Sequence, residues 1–221
     1  MVVLITGASK GIGLALAKHF LAHKYQVFGT SRTGKISDIE HDQFTGFPLD
    51  LSTTESIHKA ISYIKNKGIS IDILINNAGI GPDLNAVEPE ESTYRKTFEV
   101  NTTGTLFFTE MIIPFINKQG KIINISSKMG SIAMCTSSDS VAYRMSKAAL
   151  NMYSKILANK LQGKPKVAIV HPGWVRTMIS GDDTLGRLST EESARGIFDF
   201  VTSNFENATF WNNENQSLIP W

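Results

Sequence analysis

Val2-Val3-Leu4-Ile5-Thr6-Gly7-Ala8-Ser9-Lys10-Gly11-Ile12-Gly13 opens the chain, and the reading of these residues decides the fold. The short apolar run Val2–Ile5 is rich in β-branched residues and stops at Thr6-Gly7, as a buried strand does. After the glycine-rich turn, Leu14, Leu16, Ala17, Phe20 and Leu21 fall at helical spacing. A strand, a glycine-rich turn and a helix N-terminus together make a site for a phosphate-bearing ligand. The glycines let the backbone approach the anion, and free N–H groups with the helix dipole favour it. The spacing is G-x-x-x-G-x-G, which differs from the G-x-G-x-x-G of the common dinucleotide fingerprint.

Outward from this unit, strand and helix signals alternate. Residues 25–30 predict a second strand, and residues 45–49 a third that ends at Asp50. Ser52-Thr53-Thr54-Glu55 reads as a capping box opening a helix towards Lys67. Residues 71–75 predict a fourth strand running into Asn76-Asn77-Ala78-Gly79. Helical periodicity extends over residues 90–115 and is closed by Gly120; residues 121–125, 166–170 and 208–211 read as further strands. The alternation predicts a doubly wound α/β Rossmann fold, a largely parallel sheet of about seven strands with helices on both faces. No linker or repeat divides it, so residues 1–221 read as a single domain. Ligands of such folds sit at the carboxyl ends of the strands. The polar signatures fall there: Gly7 to Gly13, Asp50, Asn76 to Gly79, Ser126-Ser127 and Pro172-Gly173.

Composition narrows the function classes. With 221 residues and 42% hydrophobic content, the chain is long enough to bury a large core. A formal charge of +2, scattered along the chain, gives no footprint for nucleic acid. No apolar run approaches the about 18 residues that span a bilayer, so no membrane partner is expected. The single Cys135 excludes an internal disulfide and fits a reducing compartment, hence a cytoplasmic location; a buried small side chain is its simplest role. His19 and His23, at i and i+4, lack a third ligand nearby, and no metal is expected.

Tyr143-Arg144-Met145-Ser146-Lys147 places a phenol and an ammonium one helical turn apart on one face. A free phenol titrates near about 10, and lowering it by about three units takes about 4 kcal/mol of preferential phenolate stabilisation. One ammonium about 4 Å away, at an effective dielectric near 20, supplies roughly that amount. The spacing therefore predicts a tuned acid/base, although a lone Y-x-x-x-K is far more often a solvated helix face.

Together these motifs resemble the short-chain dehydrogenase/reductase family over essentially the full chain. Thr6-Gly7-Ala8-Ser9-Lys10-Gly11-Ile12-Gly13 is similar to its phosphate turn, and Asn76-Asn77-Ala78-Gly79 to its sheet-stabilising motif. Tyr143 to Asn151, the compact length and the Ile219-Pro220-Trp221 tail look closest to the small carbonyl-reductase branch that includes sniffer and the bacterial C-factor. The resemblance implies a catalytic set of Asn101, Ser127, Tyr143 and Lys147. Tyr143 would donate a proton to a substrate carbonyl oxygen, and Ser127 would hydrogen-bond the same oxygen. Lys147 would hold the ribose hydroxyls and depress the Tyr143 pKa, and Asn101 would sit at a helix irregularity whose backbone carbonyl serves a proton relay. The interval from Ser127 to Tyr143 is longer than the commonest family pattern, so Ser126 and Ser131 compete for the serine role. Ser127 is preferred because it ends the strand match and alternation puts Ser126 on the other face.

The implied dinucleotide site comprises Gly7, Ser9, Lys10, Gly11, Ile12, Gly13, Ser31, Arg32, Asp50, Leu51, Asn77, Ala78, Gly79, Tyr143, Lys147, Pro172, Gly173, Val175 and Thr177. Thr30-Ser31-Arg32-Thr33 carries no acid where an NAD enzyme places one, while Arg32 and Lys10 can pair with a 2′-phosphate; NADP(H) is the expected cofactor. Candidate substrate walls are Met129, Ile132, Met134, Trp174 and Met178, which implies a small apolar carbonyl or alcohol. The short segment 177–189 would leave an open cleft. Apolar helix positions in residues 90–115 and 143–161 allow a homodimer. A second reading is a dinucleotide-binding signalling or interaction protein of the C-factor type, with little turnover.

Overall fold

Strand residues of this chain are apolar on both sides, which only a sheet covered on both faces can satisfy. The structure, a computed structural model, describes residues 1–179 and 185–221 and contains such a sheet. Its strands are β1 (Val2–Ile5), β2 (Gln26–Ser31), β3 (Phe44–Pro48), β4 (Ile71–Asn76), β5 (Ile116–Ile125), β6 (Lys166–His171), β7 (Thr209–Asn212) and β8 (Ser217–Leu218). They lie in the order β3-β2-β1-β4-β5-β6-β7-β8, all neighbours parallel except β7 and β8. The order reverses between β1 and β4, so the crevice of a doubly wound sheet opens there.

The helices are α1 (Gly11–Ala22), α2 (Thr54–Asn66), α3 (Glu91–Phe98), α4 (Thr105–Ile112), α5 (Val141–Leu161) and α6 (Thr190–Thr202). Alternation along β1 sends Val3 and Ile5 to one face and Leu4 to the other. Val3 and Ile5 join Leu16 and Phe20 of α1 and Ile197 and Val201 of α6 in one core. Leu4 joins Ile57 of α2, Phe108 of α4 and Leu157 of α5 in the second. Each fully buried Ile, Leu or Phe stabilises by about 1.5–3 kcal/mol relative to exposure.

Several boundaries differ from the sequence reading, each for a physical reason. Residues 90–115 form no single helix: α3 passes into a π-helical segment, Glu99–Gly104, then α4, then a 3-10 turn at Ile113–Phe115. Pro114 lacks an N–H for the helical ladder, and β5 begins at Ile116, so Gly120 lies within the strand. The α2 cap is Thr53, whose hydroxyl accepts from Ser56 N; Ser52 instead donates to Asp50 Oδ1 at 2.7 Å, and no capping box forms there. A true capping box stands at Ser189 and Glu192 and opens α6. An eighth strand, β8, adds to the expected seven. Cys135 is exposed, a correction to the buried role expected of it. The His19 and His23 rings pack on each other and on Phe198, and no metal-competent cluster of His, Cys, Asp or Glu occurs among the described residues. No helix among them is long and apolar enough to cross a membrane.

Candidate active site

The crevice is built first at the end of β1. Thr6 Oγ1 accepts from the backbone N–H groups of Asn77 and Ala78, both at 3.0 Å, tying the ends of β1 and β4 together. Asn77 Nδ2 donates back to Thr6 O and Gly7 O at 2.9 and 3.1 Å. The Asn77 side chain and its backbone N–H are thus both spent on the turn. Gly7 has φ +68, and a Cβ on Gly13 would fall 2.3 Å from Gly7 O. Only glycine permits that approach of helix to turn. Lys10 occupies the α1 N-cap without a side-chain cap bond, and the first turn of α1 carries no acid. The positive end of the helix dipole is therefore open to an anion, which fits the dinucleotide pyrophosphate.

The other predicted binding residues gather around this turn. Ser31, at the end of β2, is buried and donates to Lys35 O at 3.1 Å, while Arg32 is exposed beside it. Asp50 accepts from the Ser52 hydroxyl, which holds its carboxyl below the usual range against the cost of burial; the Arg32 guanidinium acts in the same direction. Arg32 and Asp50 thus share one corner, with the exposed Lys10 in the neighbouring turn. Leu51 and Val175 are buried, at 6% exposure each. Pro172-Gly173 follows β6, Gly173 having φ +97. A Cβ on Gly11 would stand 3.9 Å from Thr177, so residues 173–177 return over the phosphate turn. The lid expectation for residues 177–189 falls partly on residues 180–184, which lie outside the described residues.

Tyr143 and Lys147 stand on α5 and face the ends of β4 and β5. Both are buried, and Lys147 Nζ lies 5.7 Å from the Tyr143 ring centroid and donates to Ile125 O at 3.0 Å. Burial pushes the phenol up to about 12; a hydrogen bond with Ser127 pulls it down and the Asp83 charge pushes it further up. Burial alone draws the Lys147 ammonium down to about 8. The expected lowering of the Tyr143 pKa is therefore overturned: burial outweighs the pull of its neighbours. Desolvation disfavours each charged form, and the ammonium is engaged by a carbonyl instead of the phenol.

Of the three candidate serines, Ser127 has its hydroxyl at the phenol and also accepts from Met129 N at 3.1 Å. Ser126 donates to Asn151 Oδ1 at 2.6 Å and Ser131 to Pro220 O at 2.5 Å, both directed away from Tyr143. Asn101 lies in the π-helical segment, the irregularity the resemblance implied. Its side chain clamps Ile80 through N and O, both at 2.8 Å, and donates to Ser146 Oγ at 3.1 Å. A Cβ on Gly79 would stand 3.4 Å from Lys147 Nζ, which places Gly79 against the same pair. Among the wall residues, Met129 is half-buried while Ile132, Met134, Trp174 and Met178 are exposed.

Two residues escaped the sequence reading. Asp83 binds the backbone at the start of α5, and no local motif marks it. His171, at the end of β6, is buried, both its ring nitrogens lacking a partner among the described residues. Burial draws its pKa down to about 4, so the imidazole is neutral near pH 7.

A doubly wound sheet with an open helix N-terminus at the strand reversal, and a buried phenol and ammonium beside it, defines a dinucleotide-binding oxidoreductase class. The short chain dehydrogenase family model matches residues 1–186. The chain belongs to the short-chain dehydrogenase/reductase family of oxidoreductases, near its sniffer and C-signal branch. The carbonyl reductase Sniffer of Drosophila melanogaster superposes with a TM-score of 0.90 at 27% identity, covering 100% of this chain and 99% of that one. The NADPH-bound carbonyl reductase from chicken fatty liver gives 0.89 at 29% identity, covering 100% and 94%. C-signal of Myxococcus xanthus is 33% identical over 157 residues, 68% of this chain and 93% of that protein.

Proposed function

We propose that the protein is an NADP(H)-dependent reductase of small apolar aldehydes or ketones, with Tyr143 as general acid. The observation that carries this reading is the convergence of Tyr143, Ser127 and Lys147 beside the uncapped N-terminus of α1. A bound NADPH supplies the hydride. Ser127 and the Tyr143 hydroxyl hold the substrate oxygen between them, sharing the charge that develops there. Tyr143 donates its proton to that oxygen, and its raised pKa keeps the proton available across the neutral range. Lys147, released from Ile125 O, holds the ribose hydroxyls, and its ammonium steadies the phenolate left behind. Asn101 holds the loop at Ile80 against this group. Lys10 and Arg32 receive the 2′-phosphate, with Asp50 at the adenine edge. The NADPH-bound relative and the absence of an acid from Thr30-Ser31-Arg32-Thr33 at the end of β2 support this cofactor over NAD.

The test is NADPH consumption across an aldehyde and ketone panel, wild type beside Tyr143→Phe. The reading expects a loss of at least about a hundredfold on removing the hydroxyl, with NADPH binding retained. Undiminished turnover in the variant would sink it. The match to C-signal favours the second reading, a dinucleotide-binding signalling protein. That reading moves ahead if wild type binds NADPH and turns over nothing.

A further inference from the structure

The helix that carries Tyr143 has no cap of its own. Ser140 occupies its N-cap in the left-handed region, at φ +56, and makes no side-chain cap bond; no acid follows in the first turn. The missing cap arrives from elsewhere in the chain. Asp83, in the loop after β4, is only 6% exposed, and its Oδ2 accepts from Ala142 N at 2.7 Å and Tyr143 N at 3.2 Å. Two further bonds bind the same loop to the same helix end: Ser140 N donates to Ala86 O at 2.8 Å, and Asn85 N to Ser140 Oγ at 3.0 Å. At Gly81 the loop backbone lies against the phenol ring, since a Cβ there would stand 3.2 Å from Tyr143 Cδ2. The near end of the loop is gripped by Asn101 at Ile80. Residues 80–86 thus form a strut between the π-helical segment and the general acid.

We propose that Asp83 is a positioning residue for the reaction: its buried carboxylate replaces the absent cap of α5 and holds Tyr143 in register with Ser127. This rests on the reading of Tyr143 as general acid. A cap only had to accept hydrogen bonds, and a serine or asparagine does so without burying a charge. The helix dipole favours a carboxylate at this end. That charge also faces the phenol and opposes its ionisation. The other charge facing the phenol is Lys147, one turn along α5, with the uncharged Ser127 from the end of β5. At the same helix end Arg144 and Asp139 pair with each other at 3.1 Å.

Asp83→Asn keeps an acceptor and removes the charge; Asp83→Ala removes both. The readouts are Tm and the pH at which kcat for alcohol oxidation rises under saturating NADP+, with Tyr143→Phe in parallel. The expected Tm of Asp83→Asn is close to wild type, with the rise in kcat moved to lower pH. For Asp83→Ala the expectation is a Tm lower by about 2–8 °C and a kcat lower by at least about tenfold, both largely restored in the asparagine variant. A pH profile unmoved in Asp83→Asn overturns the proposal, as does a wild-type kcat in Asp83→Ala at lowered Tm. If Tyr143→Phe is inactive while Asp83→Asn behaves as wild type, the proposal alone fails. An active Tyr143→Phe removes the acid assignment and the proposal with it.

Discussion

Two helix N-termini face the crevice, those of α1 and α5, and they are finished in opposite ways. At α1 the N-cap is Lys10, no side chain caps the turn, and no acid stands in the first turn. At α5 a buried carboxylate, Asp83, is brought from the loop after β4 to fill the same position. The positive end of a helix is worth about 0.3–1 kcal/mol to a nearby anion, and up to about 2 when partly buried. On the proposed function, it is left free where the cofactor would bring negative charge, and neutralised where the neighbour is a phenol that would have to keep its proton.

The contrast can be broken from the α1 side. Arg32→Asp places an acid beside Asp50, where the 2′-phosphate would lie, and should reverse the ratio of catalytic efficiencies with NADPH and NADH. The expected swing is about a hundredfold or more, from a lost charge-assisted bond and an added repulsion; an unchanged ratio refutes the cofactor assignment. Lys10→Asp makes α1 resemble α5. An acid at an extended N-cap should raise the Tm of the free protein by about 2–4 °C, while weakening NADPH about 30-fold. Calorimetry and a fluorescence titration measure the two, and tighter binding would show that the bare N-terminus is not where the anion sits.

A pH titration sharpens the α5 side with a smaller effect. The Lys147 pKa is drawn down to about 8 in the free protein, so its ammonium is present below that pH and lost as pH rises through it. Binding that needs the ammonium is therefore strongest below about 8. NADPH affinity should fall about fivefold between about pH 8 and pH 9, and Lys147→Met should abolish this limb. A flat profile in wild type would remove Lys147 from the binding step.

The α1 end was legible in the sequence because its parts are contiguous: strand, glycines and helix lie within residues 2–22. The α5 end was not, because Asp83 precedes Tyr143 by a long stretch of chain and only folding joins them. Locality also explains the capping boxes. Ser52 and Glu55 have the right spacing, yet Asp50 takes the Ser52 hydroxyl first. Ser189 instead accepts from Glu192 N and closes its box with Glu192. Periodicity over residues 90–115 marked a helical stretch, but period alone does not reveal the π-helical segment that holds the buried Asn101. The Tyr143–Lys147 spacing was read correctly as one shared face. The direction of the phenol shift was missed, because burial depends on everything packed around the pair.

The short strand β8 has a consequence for assembly. It pairs antiparallel with β7 through Trp211–Leu218 and Asn212–Ser217, occupying the outer hydrogen-bonding edge of the parallel sheet. At this edge a second copy therefore finds no long row of free backbone groups, and the two-residue strand that remains is too short to template one. The apolar side chains exposed on α4 and α5, Phe107, Met152 and Ile156, offer a second copy a side-chain surface in place of that edge.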